Sequence, residues 1–169
     1  MKFDKNFTKS EVFNKVRAYL KNLEFSIIDE DTERPWGGYF VIDEENDAAF
    51  IHQHFPNHHV EEFEGFAKLS PKVLLVEPEK RLSWQYHHRR SELWRVIGGS
   101  AGVIISPNDE QNEVQTLKKG DEVELEQGIR HRLVGLEEWG IVAEIWKHTD
   151  KDNPSDEDDI IRVEDDFGR

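Results

Sequence analysis

The chain has 169 residues and a formal net charge of −14, so it is long enough for one domain with a real core and too acidic for a sequence-independent nucleic-acid binder. Five Trp, ten Phe and three Tyr residues supply that core, and the absence of Cys excludes disulfides and thiolate chemistry. No apolar run reaches the ~20 residues of a membrane span and no signal segment opens the chain, so we expect a cytoplasmic protein without a membrane partner.

The first predicted element is an amphipathic helix that begins after Thr8. Glu11 lies three residues beyond Thr8, which is the pattern of a capping box, and Phe7 with Val12 fits a hydrophobic staple. We expect this helix to pack on the outside of the main domain, as part of an N-terminal helical extension over residues 1–33. The apolar residues at helical spacing are Val12, Phe13, Val16, Tyr19, Leu20 and Leu23.

Short strands follow the helix, separated by turns at glycine and proline. Many short strands with regular turns are typical of a sandwich or barrel, and we assign residues 34–169 to that domain. We expect the acidic runs at 150–159 and 164–166 to be solvated surface. The predicted strands are Phe25–Ile28, Gly38–Ile42, Lys72–Glu77, Arg81–Tyr86, Glu92–Ile97, Ala101–Ser106, Glu122–Leu125, His131–Val134 and Ile141–Trp146.

Four side chains on these strands have the chemistry of a divalent-metal site. Residues two apart on a strand share a face, so Gln85 and His87 point the same way. A hairpin through residues 88–91 brings Glu92 towards them, and His131 lies on a later strand. If the four converge, they form an open metal site.

The same segment resembles the cupin family. Gln85-x-His87-(x4)-Glu92-(x6)-Gly99 is similar to the first cupin motif, with Gln85 in place of its first His, and residues 120–131 are similar to the second. The resemblance implies an all-β fold, the double-stranded β-helix or jelly roll, preceded here by the N-terminal α-helix.

Further motifs narrow the resemblance to type II phosphomannose isomerase, a module also found as the C-terminal half of bifunctional mannose-1-phosphate guanylyltransferases. The segment after Glu144 departs from the family pattern at Trp146. We find no glycine-rich nucleotide-binding segment and do not expect nucleotidyl transfer from this chain. The motifs, in order, are Arg34–Gly37, Arg81–Trp94, His131–Leu133, Glu157–Arg162 and Asp165–Arg169.

The resemblance implies interconversion of mannose 6-phosphate and fructose 6-phosphate through an enediol, with a small sugar phosphate as the partner molecule. It also implies one divalent metal ion, with zinc as the first choice and manganese, cobalt, nickel or iron as alternatives. Glu144 is the candidate catalytic base, although an ion pair with an arginine explains it equally well. The candidate phosphate-binding residues, each with a surface ion pair as the alternative, are Arg90, Arg132, Arg162 and Arg169, with Lys80 and Arg81 behind them.

Two features stay open at this stage. The histidine-rich segment 50–59 fits a second metal site, with His52 and His54 on one strand face and His58 or His59 after a turn, or a lid or dimer contact. In addition, Leu82, Trp84 and Tyr86 are expected to face away from the metal. Such an apolar outer face needs cover from the N-terminal helix or from a second copy in a homodimer.

Two other functions compete with the isomerase. One is a cupin dioxygenase that uses ferrous iron, but it leaves the arginines unexplained and its usual ligands do not include Gln. The other is a non-catalytic sugar-binding cupin, which the change at Trp146 keeps open.

Overall fold

Eleven strands form two antiparallel sheets in the computed structural model, which describes all residues from Met1 to Arg169. The six-stranded sheet has the order β1-β2-β3-β10-β5-β8, and the five-stranded sheet has the order β11-β4-β9-β6-β7. This arrangement confirms the predicted double-sheet, mainly β fold. The strands are β1 Ile27–Asp31, β2 Gly37–Ile42, β3 Lys72–Val76, β4 Trp84–Tyr86, β5 Arg90–Gly98, β6 Ser100–Ser106, β7 Gln115–Lys118, β8 Glu122–Leu125, β9 Arg130–Gly135, β10 Gly140–His148 and β11 Ile161–Glu164.

The sheets enclose one apolar cluster and the six-stranded sheet carries another on its outer face. Alternate residues of a strand point to opposite faces, so β3 sends Leu74 and Val76 inward and Val73 and Leu75 outward. The inner cluster closes one end of the space between the sheets. The polar residues on the same strand faces therefore lie at the other end of the space between the sheets, where the site is.

Helix α1, Lys9–Asn22, covers the outer face of the six-stranded sheet, as predicted. The capping box is present: the Glu11 amide donates to the Thr8 hydroxyl at 3.2 Å, and the Thr8 amide donates to the Glu11 carboxylate at 2.8 Å. Val12, Phe13, Val16 and Leu20 are buried in the outer cluster. The helix therefore stabilises the sheet by hydrophobic burial from outside.

The prediction that His52 and His54 lie on one face of a strand is wrong, because residues 47–54 form a second helix, α2 (Asp47–His54). Phe50, Ile51 and His54 are buried on one side of it, the spacing of a helix face, while His52 is exposed. Packing of Phe50 and Ile51 against the outer cluster selects helix over strand here. Neither helix has the length and apolar character needed to cross a bilayer.

The expected outward row of Leu82, Trp84 and Tyr86 is only partly correct. β4 begins at Trp84, so the alternation does not extend back to Leu82, which joins the inner cluster. Trp84 does face outward, but the chain covers it: its indole nitrogen donates to the Asp109 carbonyl at 2.9 Å. Arg130 stacks on Tyr86, with its guanidinium carbon 3.8 Å from the ring centre. The face is thus covered in cis, and the homodimer stays a prediction that needs other support.

Candidate metal and substrate site

Three of the four predicted ligands meet between the sheets. His87 directly follows β4, Glu92 lies on β5 and His131 on β9, and all three are buried. His87 Nε2 is 3.1 Å from one Glu92 oxygen and His131 Nε2 is 3.4 Å from the other. One ligand atom from each residue fits within a mutual separation of 4.8 Å, which is compatible with a shared metal ion.

Backbone carbonyls orient both imidazoles towards Glu92. His87 Nδ1 lies 2.9 Å from the Asp159 carbonyl oxygen, and His131 Nδ1 lies 3.0 Å from that of Ile129. A carbonyl only accepts, so each Nδ1 carries the proton and each Nε2 keeps its lone pair, which in His87 accepts a hydrogen bond of 3.2 Å from Arg90 Nη2. His131 Nε2 and the facing Glu92 Oε2 are buried and have no hydrogen-bond partner. Two imidazole lone pairs and a carboxylate with an unsatisfied oxygen are a donor set that fits a divalent metal.

The charges of the cluster also suit a metal. Burial raises the pKa of Glu92, but its interactions with His87 and with the charged Arg90 outweigh burial and hold that pKa well below its usual range. Burial lowers the pKa of His87, which favours the neutral ring. Glu92 is therefore ionised and His87 is neutral near pH 7, the forms in which they bind cations.

Gln85 lies beside this cluster. It pairs in register with His131 across β4 and β9, and it lines the same cavity as Glu92. Its side-chain oxygen accepts a hydrogen bond of 2.5 Å from Ser83, which fixes the amide. Its role as a fourth ligand stays a prediction.

Glu144 lies on β10 in the same cavity, next to Trp94 of β5. The Trp94 indole donates to it at 2.9 Å, so its hydrogen-bond partner is an indole and the alternative of an arginine ion pair is wrong. Burial, followed by repulsion from Glu92, raises the pKa of Glu144 to about 8. This carboxyl can therefore exchange a proton near neutral pH.

Of the four arginines predicted to bind phosphate, three line the cavity and one does not. Arg162 and Arg169 line the cavity, and Arg90 is buried inside it, donating to Glu92 at 2.8 Å and stacking on Trp146. Arg132 is wrong as a phosphate ligand: it lies outside the cavity, where it donates to the Leu82 carbonyl and the Glu164 carboxylate. Because His131 points inward, its strand neighbour Arg132 must point outward.

Two cationic side chains in the cavity were not predicted from the sequence. Lys72 opens β3 and is buried, with its ammonium 3.5 Å from the Trp146 ring centre and 3.1 Å from Glu157. Arg34 lines the rim and pairs with Asp31 at 2.7 Å. Lys72 alternates along β3 with the inward Leu74 and Val76, and this spacing in the sequence predicts that Lys72 also points inward.

A hydrogen-bond network supports the turn that carries His87, and the sequence did not predict it. Asp159 ends the acidic run that was expected to be solvated, yet it is buried, and its carboxylate accepts from the His88 and Arg89 amides at 3.0 and 2.9 Å. The Ser155 hydroxyl donates to the same carboxylate at 2.6 Å and accepts from Arg90. Asp159 thus fixes the turn that carries His87.

The cavity is narrow. Its enclosed space is 60 Å³, below the roughly 300 Å³ where ligand sites usually begin. Arg90, Lys72 and Trp146 fill much of it by stacking. A sugar phosphate would have to displace side chains at the rim, where Arg162 and Arg169 are exposed.

The sequence comparisons agree with this geometry. The family described as "Mannose-6-phosphate isomerase C-terminal" matches residues 51–165. The mannose-1-phosphate guanylyltransferase ManC of Salmonella typhimurium is 29% identical over 136 residues, which cover 80% of this chain and 22% of that protein. The xanthan biosynthesis protein XanB of Xanthomonas campestris is 30% identical over 136 residues, covering 80% and 23%. The chain thus spans about a quarter of the length of these relatives.

Solved structures match the fold at low identity. Oxalate decarboxylase from Bacillus subtilis aligns with a TM-score of 0.55 and 16% identity, over 80% of this chain and 30% of that one. Vicilin from Solanum lycopersicum aligns with a TM-score of 0.52 and 19% identity, over 75% and 32%. These likenesses establish the cupin architecture alone.

Proposed function

Because the chain belongs to the mannose-6-phosphate isomerase C-terminal family, we propose that it is a metal-dependent aldose–ketose isomerase of a hexose 6-phosphate. Mannose 6-phosphate and fructose 6-phosphate are the proposed substrate pair. One observation carries the proposal: Glu92, which belongs to the buried cluster with His87 and His131, lines the same cavity as Glu144, a carboxyl whose pKa burial raises to about 8.

His87, Glu92 and His131, with Gln85 as the fourth ligand, would hold one divalent ion, for which zinc is our first choice ahead of manganese, cobalt, nickel and iron. When bound, the ion polarises the sugar carbonyl. Gln85 is neutral, so Glu92 is the single anionic ligand and the site keeps more of its positive charge. Gln85→Ala should weaken metal binding, and unchanged metal content and activity would reject this role.

Glu144 is the proposed base. As a carboxylate it removes the proton from C2 of the aldose, and the enediol then takes that proton back at C1 while the hydroxyl proton passes from O2 to O1. The Trp94 indole fixes one oxygen of Glu144, which holds the carboxyl in place between the two steps. Between the two steps the carboxyl can exchange this proton with solvent, which places solvent hydrogen on the product.

Cations at the rim are the proposed phosphate ligands. Arg162 and Arg169 line the cavity at its exposed side, with Arg34 close to them. Arg169 donates to Asp165 at 2.9 and 3.0 Å, so a phosphate would have to displace that carboxylate. Arginine forks suit a phosphate dianion, and in a chain of net charge −14 this local excess of positive charge is needed to attract one. Arg90 supports the ligand cluster instead, because Glu92 and Ser155 already occupy its guanidinium.

The test is an isomerisation assay in deuterated water. Protein reconstituted with one metal at a time is given mannose 6-phosphate, fructose 6-phosphate and other hexose phosphates. We expect the partner isomer to form with solvent deuterium at C1 or C2. Binding without turnover would favour the non-catalytic sugar-binding alternative, and oxygen consumption with ferrous iron would favour the dioxygenase; either result would overturn the isomerase.

A further inference from the structure

A second cavity lies on the outer side of the six-stranded sheet, away from the metal cluster. It has a volume of 350 Å³, within the range of roughly 300–1,000 Å³ typical of small-molecule sites. It shares no residue with the inner cavity. Its walls come from α1, α2, β5 and the turn between β7 and β8, and they include Tyr19, His54, Arg95 and Lys119.

The charge of this cavity is opposite to that of the protein. Arg95 and Lys119 line it and no carboxylate does, although the chain carries a net charge of −14. Lys119 forms no ion pair. Arg95 donates through Nε and Nη1 to the Gly120 and His54 carbonyls, while its Nη2 makes no hydrogen bond; the nearest carboxylate, of Glu122, is 3.8 Å from Nε. Two cations therefore retain donors for an anion.

His54 adds an unused polar group to the wall. Its side chain is 2% exposed, and Nε2 has no hydrogen-bond partner. Buried polar atoms nearly always have a partner, so a ring nitrogen left without one in a cavity wall indicates a missing ligand. Burial, with the charge of Arg95, lowers the pKa of His54 to about 4, so the ring is neutral near pH 7 and can offer a single N–H.

The remaining wall is apolar. Tyr19 is half-buried and lies 6.1 Å from the His54 ring, and Ile97 belongs to the outer cluster. Such a wall suits the carbon body of a ligand, while Arg95 and Lys119 suit its charge. We propose that this cavity binds a small organic phosphate monoester, with the phosphate at Arg95 and Lys119 and the carbon body against Tyr19 and Ile97. The inference does not depend on the isomerase activity.

The test is a titration of the full ¹⁵N-labelled chain followed by NMR, with inorganic phosphate and phenyl phosphate as separate probes. We expect both to shift the amides of Lys119 and Gly120, and phenyl phosphate to bind more tightly because its ring contacts the apolar wall. Lys119→Gln should weaken binding roughly tenfold, the loss of one charge-assisted hydrogen bond.

Lys118→Gln is the matched control, because Lys118 is equally exposed and lies outside the cavity. His54→Phe preserves an aromatic ring among Phe25 and Phe50 and should also weaken binding. Equal losses for the two lysine variants would indicate diffuse attraction and overturn the site. Absence of chemical-shift changes near Gly120 would also overturn the site. Equal affinity for the two probes would contradict the proposed contact between the ligand's carbon body and the apolar wall.

Discussion

Two segments of this protein are rich in histidine, and only one of them arranges its histidines around a common point. In the segment 85–92, His87 lies with Glu92 and the distant His131 in the interior. In the segment 52–59, His54 packs against the Phe25 and Phe50 rings, and His58 faces Glu62 with one nitrogen and Glu122 with the other.

The difference lies in what binds Nδ1. A backbone carbonyl takes the Nδ1 proton of both His87 and His131, which aims Nε2 at a buried carboxylate. Each ring nitrogen of His58 faces a carboxylate, and this segment brings no second histidine into a common ligand group with it. Orientation by the surrounding backbone, more than the number of histidines, makes a metal site.

The largest effect is expected from removing the shared carboxylate. Glu92→Gln should abolish metal binding and turnover, because both histidines then lose the anionic ligand between them. His58→Gln, the control from the other segment, should change neither. Metal content after dialysis checks both. Loss of metal from His58→Gln would move the site to the other segment.

The next effect concerns Glu144, which we place in the chemistry and not in metal binding. Glu144→Gln should lower kcat by roughly 10²–10⁴-fold while metal content stays intact, since a general base is lost. Steady-state kinetics on metal-loaded protein measures this. A variant that keeps full activity would exclude Glu144 as the base.

Glu144 also predicts how stability depends on pH. Its pKa in the folded state is about 8, above the ordinary 4.5, so the folded protein holds a proton that the unfolded chain releases. The stability of metal-free protein should therefore fall as pH rises from 4.5 to 8. Urea unfolding of Glu144→Gln should lack this decline; an unchanged decline would mean that another group causes it.

The sequence predicted which side chains meet because their spacing follows strand geometry. Parity placed Gln85 and His87 on one face, a hairpin brought Glu92 towards them, and the rule of alternation excludes Arg132, which follows the inward His131. Lys72 was equally readable from its parity with Leu74. These residues depend on local alternation, and local alternation is visible in a sequence.

Helix α2 and Asp159 were not predictable in this way. The segment 47–54 is short and mixes polar with apolar residues, so its pattern does not select helix or strand. Packing against the outer cluster selects the helix. Asp159 stands in an acidic run that reads as solvent-exposed, and only the fold brings it beneath the His88 and Arg89 amides. Both outcomes depend on contacts between distant parts of the chain.

A smaller effect concerns His54 of the second histidine segment, whose burial makes the stability of the fold decrease at acid pH. The pKa of His54 is about 4 in the folded state against an ordinary 6.5, so its contribution is complete above pH 6.5 and is lost as pH falls towards 4. At pH 4 this amounts to roughly 3 kcal/mol. Urea unfolding at several pH values should show a flatter acid decline for His54→Phe than for the exposed His52→Phe. Equal declines would contradict the burial of His54.

The smallest effect tests the support behind His87. Asp159→Asn should weaken metal affinity by roughly 10–100-fold, because the turn that carries His87 loses its carboxylate anchor. Asp158→Asn is the matched control, since Asp158 is exposed. Competition with a chelator measures both affinities, and equal values would remove Asp159 from the site.

The most direct test of a metal centre in the first segment is the position of the metal itself. Crystals of zinc-loaded protein, measured at the zinc absorption edge, should show one strong anomalous peak between His87 Nε2, Glu92 and His131 Nε2, with Gln85 beside it. A peak at His58 and Glu62, or none between the sheets, would contradict the account.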